Sequence, residues 1–166
     1  YFTPREIINF TVQMFQPKSD DLVLDPSCGS GGFLLYALDA VRKEATEYFP
    51  NYKTNPKEAT AHKTHWHDFA QKRLFGIEIN DEIARVAKMN MIIHDDGHTN
   101  VIGKDALDRM ERLNEVNRGF QKDRFDLILT NPPFGAQVIG KERPYLSDYD
   151  LGNQWDAKGN KKTRNN

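Results

Sequence analysis

Short apolar runs alternate along this chain with segments of helical periodicity, and each run stops at or just before a residue that carries chemistry. Leu22-Val23-Leu24 meets Asp25, Leu74-Phe75-Gly76-Ile77 meets Glu78, Val101-Ile102 stands just ahead of Asp105, and residues 125–130 run straight into Asn131. Runs of this length suit strands, and the stretches between them are long enough for helices. The first helix is predicted over residues 3–17, where Thr3 offers a capping hydroxyl before Pro4 at the first helical position and Ile7, Ile8, Val12 and Phe15 recur at helical spacing. Phe33, Leu34, Leu35, Ala37, Leu38 and Val41 mark a second helix, dense enough in apolar residues to be buried against a sheet. Ile83, Val86, Ala87, Asn90 and Met91 mark another, and a weaker helix is predicted over residues 106–114. This order predicts an α/β fold with a doubly wound, mainly parallel sheet, truncated after its fourth strand. Ligands of such sheets bind outside the carboxyl ends of the strands. Asp25, Glu78, Asp105 and Asn131 all fall there.

The rest of the chain is less regular. Residues 50–69 exchange apolar periodicity for Asn, Lys, Thr and His and are predicted to be an inserted loop with a short helix near its end. An Asp95-Asp96-Gly97 turn leads into the third strand, and a polar tail is expected over about residues 150–166. Residues 1–166 are expected to form one unit, the amino-terminal part of a larger catalytic domain, since the chain opens at Tyr1 without a methionine and stops soon after its most informative motif. With 23 basic and 24 acidic residues the net charge is near zero, so any contact with nucleic acid has to come from local patches. The single Cys28 excludes an internal disulfide framework. No window approaches the roughly 20 apolar residues of a membrane helix. A cytoplasmic protein without a membrane partner is the expectation.

In Asp25-Pro26-Ser27-Cys28-Gly29-Ser30-Gly31-Gly32, glycines after a strand let backbone approach a ligand and leave helix amides aimed at it. The ordinary alternative is a tight turn. The glycines do not follow the G-x-G-x-x-G offset, which argues against a dinucleotide and for another nucleoside ligand. Glu78 ends the second strand, where a carboxylate suits a ribose diol, although a solvated strand-end acid would look the same. Asp105 suits an adenine amine or, equally, a helix cap.

Asn131-Pro132-Pro133-Phe134 is the sharpest motif. Proline lacks an amide proton and fixes its backbone, so carbonyls are left free and rigidly aimed. The Asn131 side-chain oxygen and the Pro132 carbonyl together suit both protons of a planar aromatic amine. Accepting both favours a pyramidal nitrogen and stabilises the positive charge that grows on it during attack on a methyl sulfonium, with no general base required. Phe134 offers a face for a base taken out of its stack. A proline-rich strand end with an exposed phenylalanine is the plainer account. Cys28 has no activating base in sight and reads as a small buried residue. His62, His65 and His67 match no zinc spacing, and Lys158, Lys161, Lys162 and Arg164 read as a hydrated basic end.

Taken in order, Tyr1-Phe2-Thr3-Pro4-Arg5-Glu6, the Asp25 to Phe33 glycine segment, Gly76-Ile77-Glu78-Ile79-Asn80, Gly103-Lys104-Asp105 and Asn131-Pro132-Pro133-Phe134-Gly135 resemble the N6-adenine DNA methylase family, and within it the modification (M) subunits of type I restriction-modification systems. The resemblance implies a Rossmann-like fold of the S-adenosylmethionine-dependent methyltransferase type and S-adenosyl-L-methionine as cofactor. It implies that Thr3 and Pro4 flank the methionine part of the cofactor, that Asp25, Ser27, Gly29 and Gly31 line its amino-acid end, that Glu78 holds its ribose and that Asp105 contacts its adenine. Asn131, Pro132, Pro133 and Phe134 would then handle the target adenine of DNA. It also implies partners: a specificity subunit and a restriction (nuclease) subunit. The isolated segment is expected to be inactive, since family members carry further regions. Enzymes that methylate protein glutamine or RNA guanine present a similar motif, and a non-catalytic cofactor-binding module is the alternative of another class.

Overall fold

A computed structural model describes residues 3–94, 100–134, 148–149, 153–156, 158–159 and 161–163, with only the backbone at 153–154 and 161–163. Tyr1, Phe2, the Asp95-Asp96-Gly97 turn, Gly135 and Arg164 lie outside the described residues. Helix α1 (Arg5–Phe15) precedes strand β1 (Val23–Asp25), after which come α2 (Gly32–Tyr48), α3 (Pro56–Arg73), β2 (Leu74–Glu78), α4 (Asp81–Ile93), β3 (Val101–Gly103), α5 (Met110–Val116) and β4 (Leu127–Ile128). The four strands form one sheet in the order β3-β2-β1-β4, and every neighbouring pair is parallel. The chain therefore lays β1, β2 and β3 in one direction and then returns to place β4 on the far side of β1. That reversal opens a crevice at the carboxyl ends of β1 and β4, where a doubly wound sheet receives its ligand.

The two faces of the sheet bury separate apolar clusters. One joins Val23 and Leu74 to Ile8 and Val12 of α1, to Leu34, Leu38 and Val41 of α2, to Phe69 of α3 and to Met91 of α4. The other joins Leu24, Phe75, Ile77 and Ile102 to Leu113 of α5 and Phe120. Adjacent residues thus point to opposite faces, and because both faces are covered the strands read as continuous apolar runs. Gly76 falls on the α2 face. A β-carbon there would stand 2.8 Å from Leu34 Cδ1 and 3.1 Å from Cys28 Sγ, so glycine is what lets α2 and its preceding loop lie close on the strand.

Four expectations need correction. Residues 56–69 are helix rather than loop: α3 begins with Pro56 after Asn55, whose side chain accepts from the Lys57 and Glu58 amides, and ends in Lys72 and Arg73. Its periodicity is faint because Trp66, Phe69 and Ala70 are its buried residues and its other faces are polar. The helix predicted at 106–114 is displaced to Met110–Val116 by a turn at 105–108 in which the Leu107 amide donates to Asp105 Oδ1 at 3.0 Å. Of the strand predicted at 125–130, Leu127 and Ile128 pair, because their neighbour β1 is itself three residues long. In the polar tail, β5 (Asn153–Trp155) and β6 (Lys161–Thr163) pair antiparallel as a separate two-stranded sheet.

Candidate active site

Asp25 is the last residue of β1 and is 1 % exposed. Its carboxylate accepts the Ser27 amide at 3.0 Å. Burial dominates its chemistry and lifts its pKa from 3.8 to about 6, against the Ser27 amide and the neighbouring Thr130 hydroxyl, which favour the charged form, while Glu78 adds a smaller upward push. The Thr130 hydroxyl is buried without a hydrogen bond of ordinary geometry among the described residues.

The glycine segment turns sharply over this carboxylate. Gly29 and Gly31 adopt φ of 53° and 92°, values that side-chain-bearing residues rarely take, and Gly31 leads into α2. The turn is held to the end of β2: the Cys28 amide donates to the Ile77 carbonyl at 2.9 Å, and the Gly29 amide donates to Glu78 Oε2 at 3.0 Å. Glu78 Oε1 accepts the Asn80 amide at 2.9 Å, so one carboxylate ties the glycine turn to the start of α4. Asn90 of α4 donates to the Ser30 carbonyl at 2.9 Å and closes the turn from the other side. Cys28 is buried, and burial, with Asp25 and Glu78 nearby, pushes its thiol up, which is opposite to what a nucleophile needs.

Asn131 follows β4 across the crevice. Its side-chain Nδ2 donates to Thr3 Oγ1 at 3.0 Å, a contact between residues 128 positions apart. Thr3 accordingly does not cap α1, whose amino-terminal cap is Pro4 without a side-chain bond. Pro132 and Pro133 are exposed, and Phe134 is 88 % exposed. A cleft of about 530 Å³ is lined by Thr3, Asp25, Ser27, Gly29 and Asn131, a size typical of small-molecule sites. Arg5, Tyr36, Asn90 and His94 line it too. Nothing in the sequence marks Asn90 or His94 for this place, because only the packing of α4 beside the glycine turn brings them in.

The predicted site residues are thus arranged along four strand ends. Thr3, Asp25, Ser27, Gly29 and Asn131 share the cleft, Glu78 adjoins it through the Gly29 amide, and Asp105 lies farther out beyond β3. Asp105 has one oxygen committed to the Leu107 amide. Beside it stands Tyr149, whose phenol is pushed up by burial first and then by Asp105, Asp108 and Asp148. An Arg109–Asp148 ion pair of 3.5 Å ties that segment to the turn before α5.

The three histidines of the α3 region have separate partners. His62 stacks on Tyr52 at 4.0 Å, His65 meets Glu44 at 3.0 Å and His67 meets Gln71. Among the described residues no group of three or more His, Cys, Asp or Glu side chains converges as a metal site. No helix among them is long and apolar enough to cross a membrane.

Comparison with known proteins agrees with this geometry. The chain is 31 % identical over 146 residues to the type II restriction enzyme and methyltransferase RM.BcgI of Heyndrickxia coagulans, covering 88 % of this chain and 20 % of that protein. It is also 31 % identical over 138 residues to the methylase subunit of the type I restriction enzyme EcoKI of Escherichia coli K12, covering 82 % of this chain and 23 % of the subunit. Among solved structures, a modification subunit assigned to a type I restriction enzyme of Vibrio vulnificus YJ016 superposes with a TM-score of 0.64 at 27 % identity, covering 90 % of this chain and 26 % of that one. The fold is also that of the EcoKI M protein, with a TM-score of 0.58 at 23 % identity over 83 % of this chain and 26 % of the other. The chain spans about a fifth to a quarter of the length of the curated relatives it matches. The N-6 DNA Methylase family matches residues 1–164, nearly the whole length over which the strand-end residues and the glycine turn are laid out, and the chain belongs to that family.

Proposed function

We propose that this chain is the cofactor-binding and base-accepting part of the catalytic domain of a DNA methyltransferase that acts on the N6 amine of adenine. The observation that carries the reading is the Asn131 side chain, set at the reversal point of the sheet, facing the same cleft as buried Asp25 and held by Thr3 through its NH2 group. That arrangement leaves Asn131 Oδ1 as an acceptor beside the exposed Pro132, whose carbonyl is a second one. Both acceptors suit the two protons of a planar amine, and their dipoles stabilise the positive charge that develops on its nitrogen. The exposed Phe134 ring suits an unstacked base.

S-adenosyl-L-methionine fits the donor set at the other end of the cleft and, when bound, supplies an electrophilic methyl group. Asp25 is a buried carboxylate with no ion pair among the described residues, which a cationic ligand suits, and the turn at Gly29 leaves open space where a β-carbon would stand. Glu78 retains lone pairs beyond the two amides it accepts and is placed to hold a ribose diol, and Asp105 is the candidate for the adenine amine. The family model supports DNA as the substrate, and the names of relatives, methylase subunits of type I restriction enzymes, support assembly with other subunits; a specificity subunit that reads the sequence, a restriction subunit and a cytoplasmic setting complete the proposal.

The test is made in the full-length protein, with unmethylated genomic DNA and labelled S-adenosylmethionine. Asn131→Ala is expected to abolish methyl transfer while calorimetric cofactor affinity stays within a few-fold of wild type. Transfer near the wild-type rate in that variant removes the assignment.

A further inference from the structure

An asparagine amide is useful as an acceptor only when its oxygen faces the amine. A half-turn about its last side-chain torsion exchanges oxygen for NH2 and sets donor against donor, and the two ends are alike in shape. The side chain must therefore be held in place where its oxygen can meet the amine. Its neighbours on the chain cannot do so, since Pro132 and Pro133 have no amide protons to offer.

We infer that the Thr3 hydroxyl anchors the Asn131 side chain in the cleft, so that Thr3 is a positioning residue for methyl transfer. Thr3 Oγ1 accepts from Asn131 Nδ2 at 3.0 Å, which gives the NH2 end a partner; a hydroxyl can also donate, so the bond holds the side chain in place while the incoming amine selects its acceptor end. Both residues line the same cleft and both are partly buried, so the bond lies where water competes less for either group. The hydroxyl is available because Pro4, not Thr3, caps α1, and the Ile7 and Ile8 amides go to the Pro4 carbonyl at 3.1 and 3.2 Å. The turn before α1 and the strand end after β4 are thereby joined across the crevice by one side-chain bond. The inference rests on the assignment of Asn131 as acceptor of the target amine. It differs from the role that family resemblance implies for Thr3, a contact with the methionine part of the cofactor, and the two roles have different kinetic signatures.

Thr3→Val replaces the hydroxyl by a methyl of similar shape. In the full-length protein at saturating S-adenosylmethionine and unmethylated genomic DNA, kcat is expected to fall roughly tenfold, the worth of one neutral hydrogen bond expressed as a rate. Cofactor affinity by calorimetry is expected to stay within about twofold, and Thr3→Ser restores most of the lost rate. Thr3→Ala, which asks the site to accept no second methyl, carries the same expectation as Thr3→Val. A variant with weakened cofactor binding and unchanged kcat overturns the inference in favour of a cofactor contact, and so does a variant with both unchanged. Asn131→Ala run alongside separates the two levels: if it stays active, the acceptor reading itself fails, whereas an inactive Asn131→Ala with a fully active Thr3→Val sinks only the positioning role.

Discussion

Asp25 concentrates the tension of the site in one side chain. A carboxyl with a folded-state pKa of about 6 in place of 3.8 binds a proton more tightly folded than unfolded. Stability of the free protein therefore falls as pH rises between about 4 and 6 and levels off above that window, once the folded-state carboxyl has also ionised. The buried charge costs on the order of 2–3 kcal/mol at neutral pH. A cationic ligand favours the ionised form, so cofactor affinity should drop as pH falls below about 6. Asp25→Asn keeps the shape and removes the charge: unfolding of the free protein at pH 7 is expected to become harder, while cofactor binding weakens and loses its pH dependence in that range. Denaturant titration and calorimetry from pH 5 to 8 check both halves, and a variant less stable at pH 7 would show that the charge is already compensated. Glu78 shows a different economy of means, since its two oxygens accept the Gly29 and Asn80 amides. The residue that marks the end of β2 in the sequence thus also shapes the turn that follows β1.

Among the elements, β2 and α2 fit closely. Leu34 Cδ1 and Cys28 Sγ already occupy the space beside Gly76, at 2.8 and 3.1 Å from where a β-carbon would stand. Gly76→Ala is expected to destabilise by about 1–3 kcal/mol through overpacking. It should also loosen the glycine turn, because Cys28 is one of the atoms that must move. Chemical denaturation should show a lower midpoint with an unchanged slope, and no change in midpoint would mean that α2 is free to shift. Helix α3 makes the complementary point. Its ends were written in Asn55-Pro56 and in Lys72-Arg73, yet its middle hides Trp66, Phe69 and Ala70 among polar residues and gives little periodic signal. Cap chemistry was the better guide there, since a helix laid on another helix needs only a narrow apolar stripe.

At the scale of the molecule, α1 and α4 each present several apolar side chains to solvent among the described residues. On α1, Ile7, Phe10, Met14 and Phe15 are more than half exposed, while Ile8 and Val12 face inward. On α4, Met89, Ile92 and Ile93 are likewise more than half exposed, with Val86 nearly so. Exposed apolar surface of this kind promotes association. The 166-residue chain by itself is expected to associate with rising concentration, and paired changes of Phe10 and Ile93 to lysine should reduce this without lowering thermal stability. Light scattering and melting curves check it, and association that is indifferent to both changes would point elsewhere on the surface.

The alternation of strands and helices, the four strand-end residues and the glycine turn were legible in sequence because each depends on neighbours in the chain: apolar runs of strand length, helix-start residues, and a turn that only glycine makes easily. The order β3-β2-β1-β4, the meeting of Thr3 with Asn131 and the entry of Asn90 and His94 into the cleft were decided by tertiary structure alone. Those contacts join residues far apart in the chain, and whether a threonine before a proline caps its own helix or holds a distant asparagine depends on where the fold brings the two ends of the crevice together.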